Sequence, residues 1–279
     1  HPVAHSFPTR RSSDLGCQTN MERFKPYASK FAEVLGSIAG KSGSDVSPLL
    51  VPAQEVQKVV VILCTSDRGL CGGFNIHLTD KARKFVQSDL QDKEVSFYCF
   101  GKKGRDWVRK SPYTIAAEYL DVVGGKIDFS MASTPGQQLI DSFLMGEVDE
   151  VYVIYSEFQS MARQEPLIKQ VLPIPSLTDM VEETPTDADG SFLPEHICEP
   201  SSDVLLGEML PKNVFIQIYD ALLQTSTSEH AARMRAMENA TKACEDMVFE
   251  LQTIFNKTRQ AQITGELMDI VGGAEALKG

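Results

Sequence analysis

The chain has 279 residues, 42% of them apolar, enough to bury a sizeable core in one or two domains. Thirty-eight acids against 27 bases leave a formal net charge of −11. That is the wrong sign for a chain that binds by neutralising phosphates, so nucleic acid is excluded as a default partner. The longest apolar run, residues 59–64, is strand-sized and far short of the ~20 residues needed to cross a membrane.

Residues 1–15 have neither a helical nor a strand period, and they lack the apolar core of a secretory signal. Residues 6–15 resemble the translation of a sequencing-adaptor oligonucleotide, so residues 1–19 are expected to be a foreign, disordered segment without function. From residue 20 to 39 the pattern turns helical: Phe24, Tyr27, Phe31, Val34, Leu35 and Ile38 recur at helical steps. Gly40, Gly43 and Pro48 then break it into a loop over 40–54.

An α/β rhythm follows over residues 55–174. Strands are expected at 56–64, 94–100, 114–122, 148–158 and 164–174, with helices at 75–90, 102–110 and 135–146. The last two strands alternate like the arms of a hairpin. Strands that are apolar on both faces and alternate with helices imply a Rossmann-like, largely parallel sheet with both faces covered. Residues 175–203 differ in kind. Asp179, Glu182, Glu183, Asp187, Asp189, Glu195, Glu199 and Asp203 stand there without a Lys or Arg, among four prolines, which reads as an acidic solvated loop.

The tail carries the most information. No proline follows Pro211, and residues 212–264 contain neither Pro nor Gly. A helix over residues 204–277 would be on the order of 110 Å long at ~1.5 Å per residue, far beyond an ordinary globular helix. Met237, Ala240, Cys244, Met247, Leu251, Ile254, Thr258, Ala261, Gly265 and Met268 form a heptad seam, which predicts a partner helix wound around it. After Ile254 the seam becomes small, and a second stripe of Ile263, Leu267, Ile270 and Ala274 takes over at another angle, as in a stutter. The helix over 20–39 spans only ~30 Å and cannot cover it.

Chemistry-bearing motifs are few. The glycine-rich turn over 65–75, between a buried strand and a helix, stands where α/β proteins bind phosphate. Its Gly69, Gly72 and Gly73 match no nucleotide-binding spacing, which favours a closely packed structural turn. Of the six cysteines (Cys17, Cys64, Cys71, Cys99, Cys198 and Cys244), four lie in apolar runs or helical stripes, as reduced buried thiols do. Cys64 and Cys71 have no second pair to complete a metal site, and no base is nominated to activate Cys71. Asp149, Glu150 and Glu157 read as rim charges. No catalytic residue, cofactor or metal site is expected. From the residues alone, a coiled-coil adaptor and a small-molecule α/β enzyme using the turn both stay open.

Three stretches then carry a resemblance. Residues 65–75, with Gly69, Leu70, Cys71, Gly72 and Gly73, resemble the glycine-rich signature of the gamma subunit of F-type ATP synthases. Residues 229–241, from Glu229 through Arg233 to Thr241, resemble its C-terminal helix motif, and residues 256–264 with 270–274 complete it. The likeness runs from about Asn20 to the end.

It implies a non-catalytic rotor shaft, coupling ion flow through a membrane c-ring to ATP synthesis at beta-subunit sites. The terminal helices would form an antiparallel coiled coil inside a ring of alpha and beta subunits. The α/β domain would sit on the c-ring beside the epsilon subunit, at the cytoplasmic face of a bacterial inner membrane. By matching positions, Arg233, Arg259, Gln260, Thr264 and Glu266 resemble the residues that meet beta-subunit loops, where an Arg offers charge-assisted hydrogen bonds to carboxylates. The absence of an extra cysteine pair in an inserted loop favours the bacterial type. Two departures stand out. Gly265 replaces a longer polar residue, at roughly 1 kcal/mol relative to Ala. The basic opening helix expected before Asn20 is replaced by the adaptor-like segment, so this chain is expected to lack half its coiled coil and to couple poorly.

Overall fold

The computed structural model describes residues 8–39, 47–53, 55–125, 127–175 and 201–277. The acidic stretch expected over 175–203 therefore lies almost wholly outside the described residues, as do Cys198 and most of the loop over 40–54. The chain divides into two units, His1–Arg233 and Met234–Gly279.

The first unit holds a five-stranded sheet. Its strands are β1 (Lys58–Cys64), β2 (Glu94–Phe100), β3 (Thr114–Tyr119), β4 (Glu150–Phe158) and β5 (Gln164–Leu172). They lie in the order β3-β2-β1-β4-β5. β1 runs parallel to β2 and β4, and β2 parallel to β3; β5 alone is antiparallel, as the hairpin partner of β4. This is the largely parallel α/β sheet expected from the apolar runs. Each parallel step needs a crossover, and α2 (Phe74–Ser88), α3 (Lys102–Val108) and α4 (Ser130–Leu144) supply them.

Both faces are covered, which is why β1 is apolar at every position after Lys58. Val59, Val61 and Leu63 pack with Phe74, Leu78, Ala82 and Val86 of α2 and Val108 of α3. Val60, Ile62 and Cys64 face the other way, into a core built from α4 and the terminal helices α1 (Pro8–Ala39) and α5 (Ser202–Ala276). α1 contributes Leu35 and Ile38, and α5 contributes Leu206, Leu210, Val214, Ile218 and Leu222. Phe24 of α1 meets Tyr219 of α5 edge-on, with ring centroids 4.8 Å apart. Gly136 of α4 lets the α5 backbone side come close: a Cβ there would stand 2.5 Å from the Phe215 ring.

Two boundaries shift from the sequence reading. α1 begins at Pro8, not near Asn20, so the helix continues on the N-terminal side of its apolar stripe into residues that carry no period. α4 begins at Ser130, with Pro135 in its interior. α5 is one helix of 75 residues through Pro211. In the second unit its seam residues Met247, Leu251, Ile254 and Met268 are exposed, together with Leu267 of the second stripe and with Val248, Phe249 and Phe255. Among the described residues no helix is long and apolar enough to cross a membrane.

Candidate functional site

The glycine-rich turn and the start of the helix motif, residues 229–233, meet in the first unit. The glycine-rich turn leaves the C-terminal end of β1, and its polar groups are used internally. The Ser66 amide donates to Asn75 Oδ1 (3.0 Å), Asn75 Nδ2 donates to the Cys71 sulfur (3.2 Å), and the Ser66 hydroxyl donates to the Arg68 carbonyl (2.6 Å). The same turn receives the start of α3. Lys102 N–H donates to Asp67 Oδ1, Lys103 N–H to the Ser66 carbonyl and Gly104 N–H to Thr65 Oγ1. Those are helix N-terminal donors that a bound phosphate would otherwise need. The turn is a packed structural joint, as its irregular glycine spacing implied.

Backbone conformation explains two glycines there, close approach adding to one. Gly101 has φ +96°, and a Cβ on it would lie 2.2 Å from the Thr65 carbonyl oxygen. Gly72 also takes a positive φ, 59°, a region open to glycine without strain. Leu70 pays no such exemption: a leucine at φ 64° is sterically unfavourable.

The helix motif arrives at this turn through Glu229 and Arg233, one helical turn apart on α5. Glu229 is 1% exposed, and both its carboxylate oxygens accept from the Arg233 guanidinium, Oε2 at 2.8 Å. Arg233 also donates from Nε and Nη2 to the Gly69 carbonyl, each at 3.4 Å. The guanidinium thus ties the first turn of the helix motif to the middle of the glycine-rich turn. A buried carboxylate is tolerable only with such a partner.

Just upstream, Gln224, Thr225, Ser226, Thr227 and Ser228 are all buried. The edge of β4 explains it. β1 pairs with β4 only as far as Ile154, so Ser156 and Phe158 extend past the end of β1. On the β5 side Ser156 faces Pro166, which has no N–H to give. α5 satisfies the exposed peptide groups. The Ser228 hydroxyl donates to the Ser156 carbonyl (3.1 Å), the Ser156 amide points to Thr225 Oγ1 (3.5 Å), and the Phe158 amide donates to Gln224 Oε1 (3.1 Å). Sequence reasoning missed this group. The signal was present as an uninterrupted polar run over 224–230 inside a helix, which breaks the amphipathic period.

The remaining residues named by resemblance lie in the second unit. Arg259, Gln260, Thr264 and Glu266 are exposed on α5. The Thr264 hydroxyl returns to the Gln260 carbonyl (2.8 Å), and Gln262 donates to Glu266 (3.2 Å). Arg233 belongs to the first unit. The carboxylates read as rim charges have structural duties: Asp149 Oδ2 accepts from the Gln57 and Lys58 amides at the start of β1, and Glu150 pairs with Lys93. Burial pushes the Cys64 thiol far up and Cys99 to about 12, so both are inert packed thiols. Among the described residues no three His, Cys, Asp or Glu side chains gather as a metal-binding group.

The family model described as ATP synthase matches residues 15–277. The chain is 71% identical over 266 residues to the ATP synthase gamma chain of Desulforapulum autotrophicum, covering 94% of this chain and 89% of the relative. The chain belongs to the ATP synthase gamma chain family. It is 61% identical to the gamma chain of Desulfosudis oleivorans, over 95% of this chain and 89% of that one. In fold it is similar to a chain of the Euglena gracilis mitochondrial ATP synthase, with a TM-score of 0.55 over 95% of each chain at 19% identity. A chain from the central stalk and c-ring of the Tetrahymena thermophila enzyme gives a TM-score of 0.53 at 18% identity, over 83% of this chain and 99% of that one. A gamma chain of this family is a non-catalytic subunit, the central rotor shaft of ATP synthase, in a complex peripherally associated with a membrane.

Proposed function

We propose that this gamma chain turns inside a ring of alpha and beta subunits and carries rotation between that ring and a membrane c-ring beside an epsilon subunit. The observation that carries the reading is the second unit. It is a helical stretch whose Met247, Leu251, Ile254 and Met268 lie on the heptad seam while exposed, together with Leu267 of the second stripe and with Phe249 and Phe255. Exposed apolar residues gathered in this way on one helix mark a surface built to be covered by protein. An asymmetric shaft in a ring of equivalent sites favours a different state in each site it faces. Rotation then exchanges free energy between distant sites.

Arg259, Gln260, Thr264 and Glu266, with Arg233, are the proposed contacts to beta-subunit loops. Arg233 uses four of its five guanidinium N–H groups on Glu229 and Gly69, leaving one for a beta subunit. The complex is proposed to sit at the cytoplasmic face of a bacterial inner membrane.

Co-expression with alpha and beta subunits tests the reading. The chain is expected to co-purify with both and, once joined to the membrane sector, to support ATP-driven proton pumping, weakly where its adaptor-like opening segment impairs the coiled coil. A chain that instead dimerises through the Met237–Ile254 seam and ignores alpha and beta would favour an adaptor. Tight nucleotide binding by the chain alone would favour an enzyme.

A further inference from the structure

A shaft transmits torque only if its helix cannot turn on the domain it grows from. The apolar contacts of α5 with the sheet, through Leu206, Leu210, Val214 and Ile218, choose the face it buries, but apolar packing is non-directional and tolerates small rotations about the axis. Hydrogen bonds are directional and fail steeply with misalignment. In the described first unit the directional bonds from α5 to the sheet and the turn cluster at Gln224, Thr225, Ser228 and Arg233, with Tyr219 donating to the Ile127 carbonyl farther back. They address three separate backbone positions, Ser156, Phe158 and Gly69, on two chain segments. Rotating α5 about its axis by one residue step, ~100°, would break all of them together and leave the buried Ser156 carbonyl and the Phe158 amide without these partners.

We propose that this polar collar fixes the rotational setting of α5 on the α/β domain, with Ser228, Thr225 and Glu229 as positioning residues for torque transfer. Glu229 acts through Arg233, whose guanidinium it orients onto the Gly69 carbonyl. Ser228 and Thr225 act through the β4 edge, which has no other strand to hold on that side. The collar explains why polar side chains are buried here where leucines would pack at lower desolvation cost. Leucines would let the helix settle in several rotational settings; hydroxyls aimed at one carbonyl and one amide select a single setting.

The proposal rests on the rotor reading, and its test separates the two. Complexes assembled with the full chain are reconstituted into vesicles, and the protons pumped per ATP hydrolysed are measured. The double variant Thr225→Val, Ser228→Ala removes both hydroxyls with little change of volume, and Glu229→Gln keeps shape while weakening the grip on Arg233. Thr225→Ser loses a methyl but keeps the hydroxyl. The double variant is expected to lower the pumping ratio about fivefold, the change in equilibrium that one net hydrogen bond makes. Glu229→Gln should lower it in the same direction, and Thr225→Ser should keep the parent ratio with hydrolysis continuing in all.

A purely stabilising role would reduce the amount of complex and leave the ratio per assembled complex unmoved. Parent-like ratios in the double variant and Glu229→Gln would overturn the collar, as would an equal fall in Thr225→Ser. If the double variant does not assemble, Glu229→Gln decides. A parent complex that hydrolyses ATP without pumping would overturn the rotor reading itself.

Discussion

Two stretches of one helix invert the usual rule for what is buried. In the first unit, α5 buries Gln224, Thr225, Ser226, Thr227, Ser228 and Glu229. In the second, it exposes Met247, Val248, Phe249, Leu251, Ile254 and Phe255. The polar stretch is buried because an unfinished strand edge needs hydrogen-bond partners, and only polar side chains supply them. The apolar stretch is exposed among the described residues, and on the proposed reading alpha and beta subunits cover it. Hydropathy along a helix records what the helix touches in its working assembly, which need not be its own fold.

The comparison breaks first in the apolar part of the first unit, where the largest effect is expected. Leu222 is fully buried in the core between α5 and the sheet. Leu222→Ala should cost about 2–5 kcal/mol, measured by denaturant unfolding of the first unit's transition. A smaller loss is expected at the turn. Gly101→Ala places a Cβ against the Thr65 carbonyl at a positive φ, and backbone cannot move aside as a flexible side chain can. It should cost about 1–3 kcal/mol, and the unfolding midpoint should fall accordingly. Gly207→Ala has open space at its Cβ and sits in the helix, so the same substitution there should stabilise slightly.

Legibility followed the same division. The five strands, their crossovers and the unbroken tail were readable because covered parallel strands are apolar on both faces and because a helix of this length needs a proline-free run. The turn at residues 65–75 was readable as structural from its glycine spacing. What could not be read was which side chains bridge elements far apart in sequence. The Ser228–Ser156 and Arg233–Gly69 contacts join positions separated by 72 and 164 residues, and no local period encodes them. Nor does the sequence reveal that β1 stops short of Ser156, which is what makes the polar run necessary. The start of α1 escaped because its first turns carry no apolar stripe.

A pH measurement sharpens the comparison at smaller scale. Asp220 lies on α5 just before the collar, and burial raises its carboxyl above the ordinary range against the pull of Lys169 on β5 and Lys25 on α1. Gln224 donates to it, and Glu157 on β4 adds to the upward shift. The folded chain therefore holds the proton to higher pH than the unfolded chain. Stability from this group is present at low pH and is lost as pH rises through the raised value. Asp220→Asn should raise the melting temperature at neutral pH and give little or no gain below the ordinary carboxylate range. An equal gain at both would show that packing, not charge, limits this site.

The smallest effect is expected where the comparison says a large apolar residue does nothing for the chain by itself. Leu251 is 59% exposed in the second unit. In the isolated chain Leu251→Ala should change stability by no more than about 0.5 kcal/mol, as for ordinary surface positions, since little apolar area is returned to water. The same substitution should weaken co-purification with alpha and beta subunits, because the proposed sleeve is what buries that side chain. A destabilisation of the isolated chain as large as that of Leu222→Ala would mean that the seam is already covered within this chain. The exposed row would then need no partner.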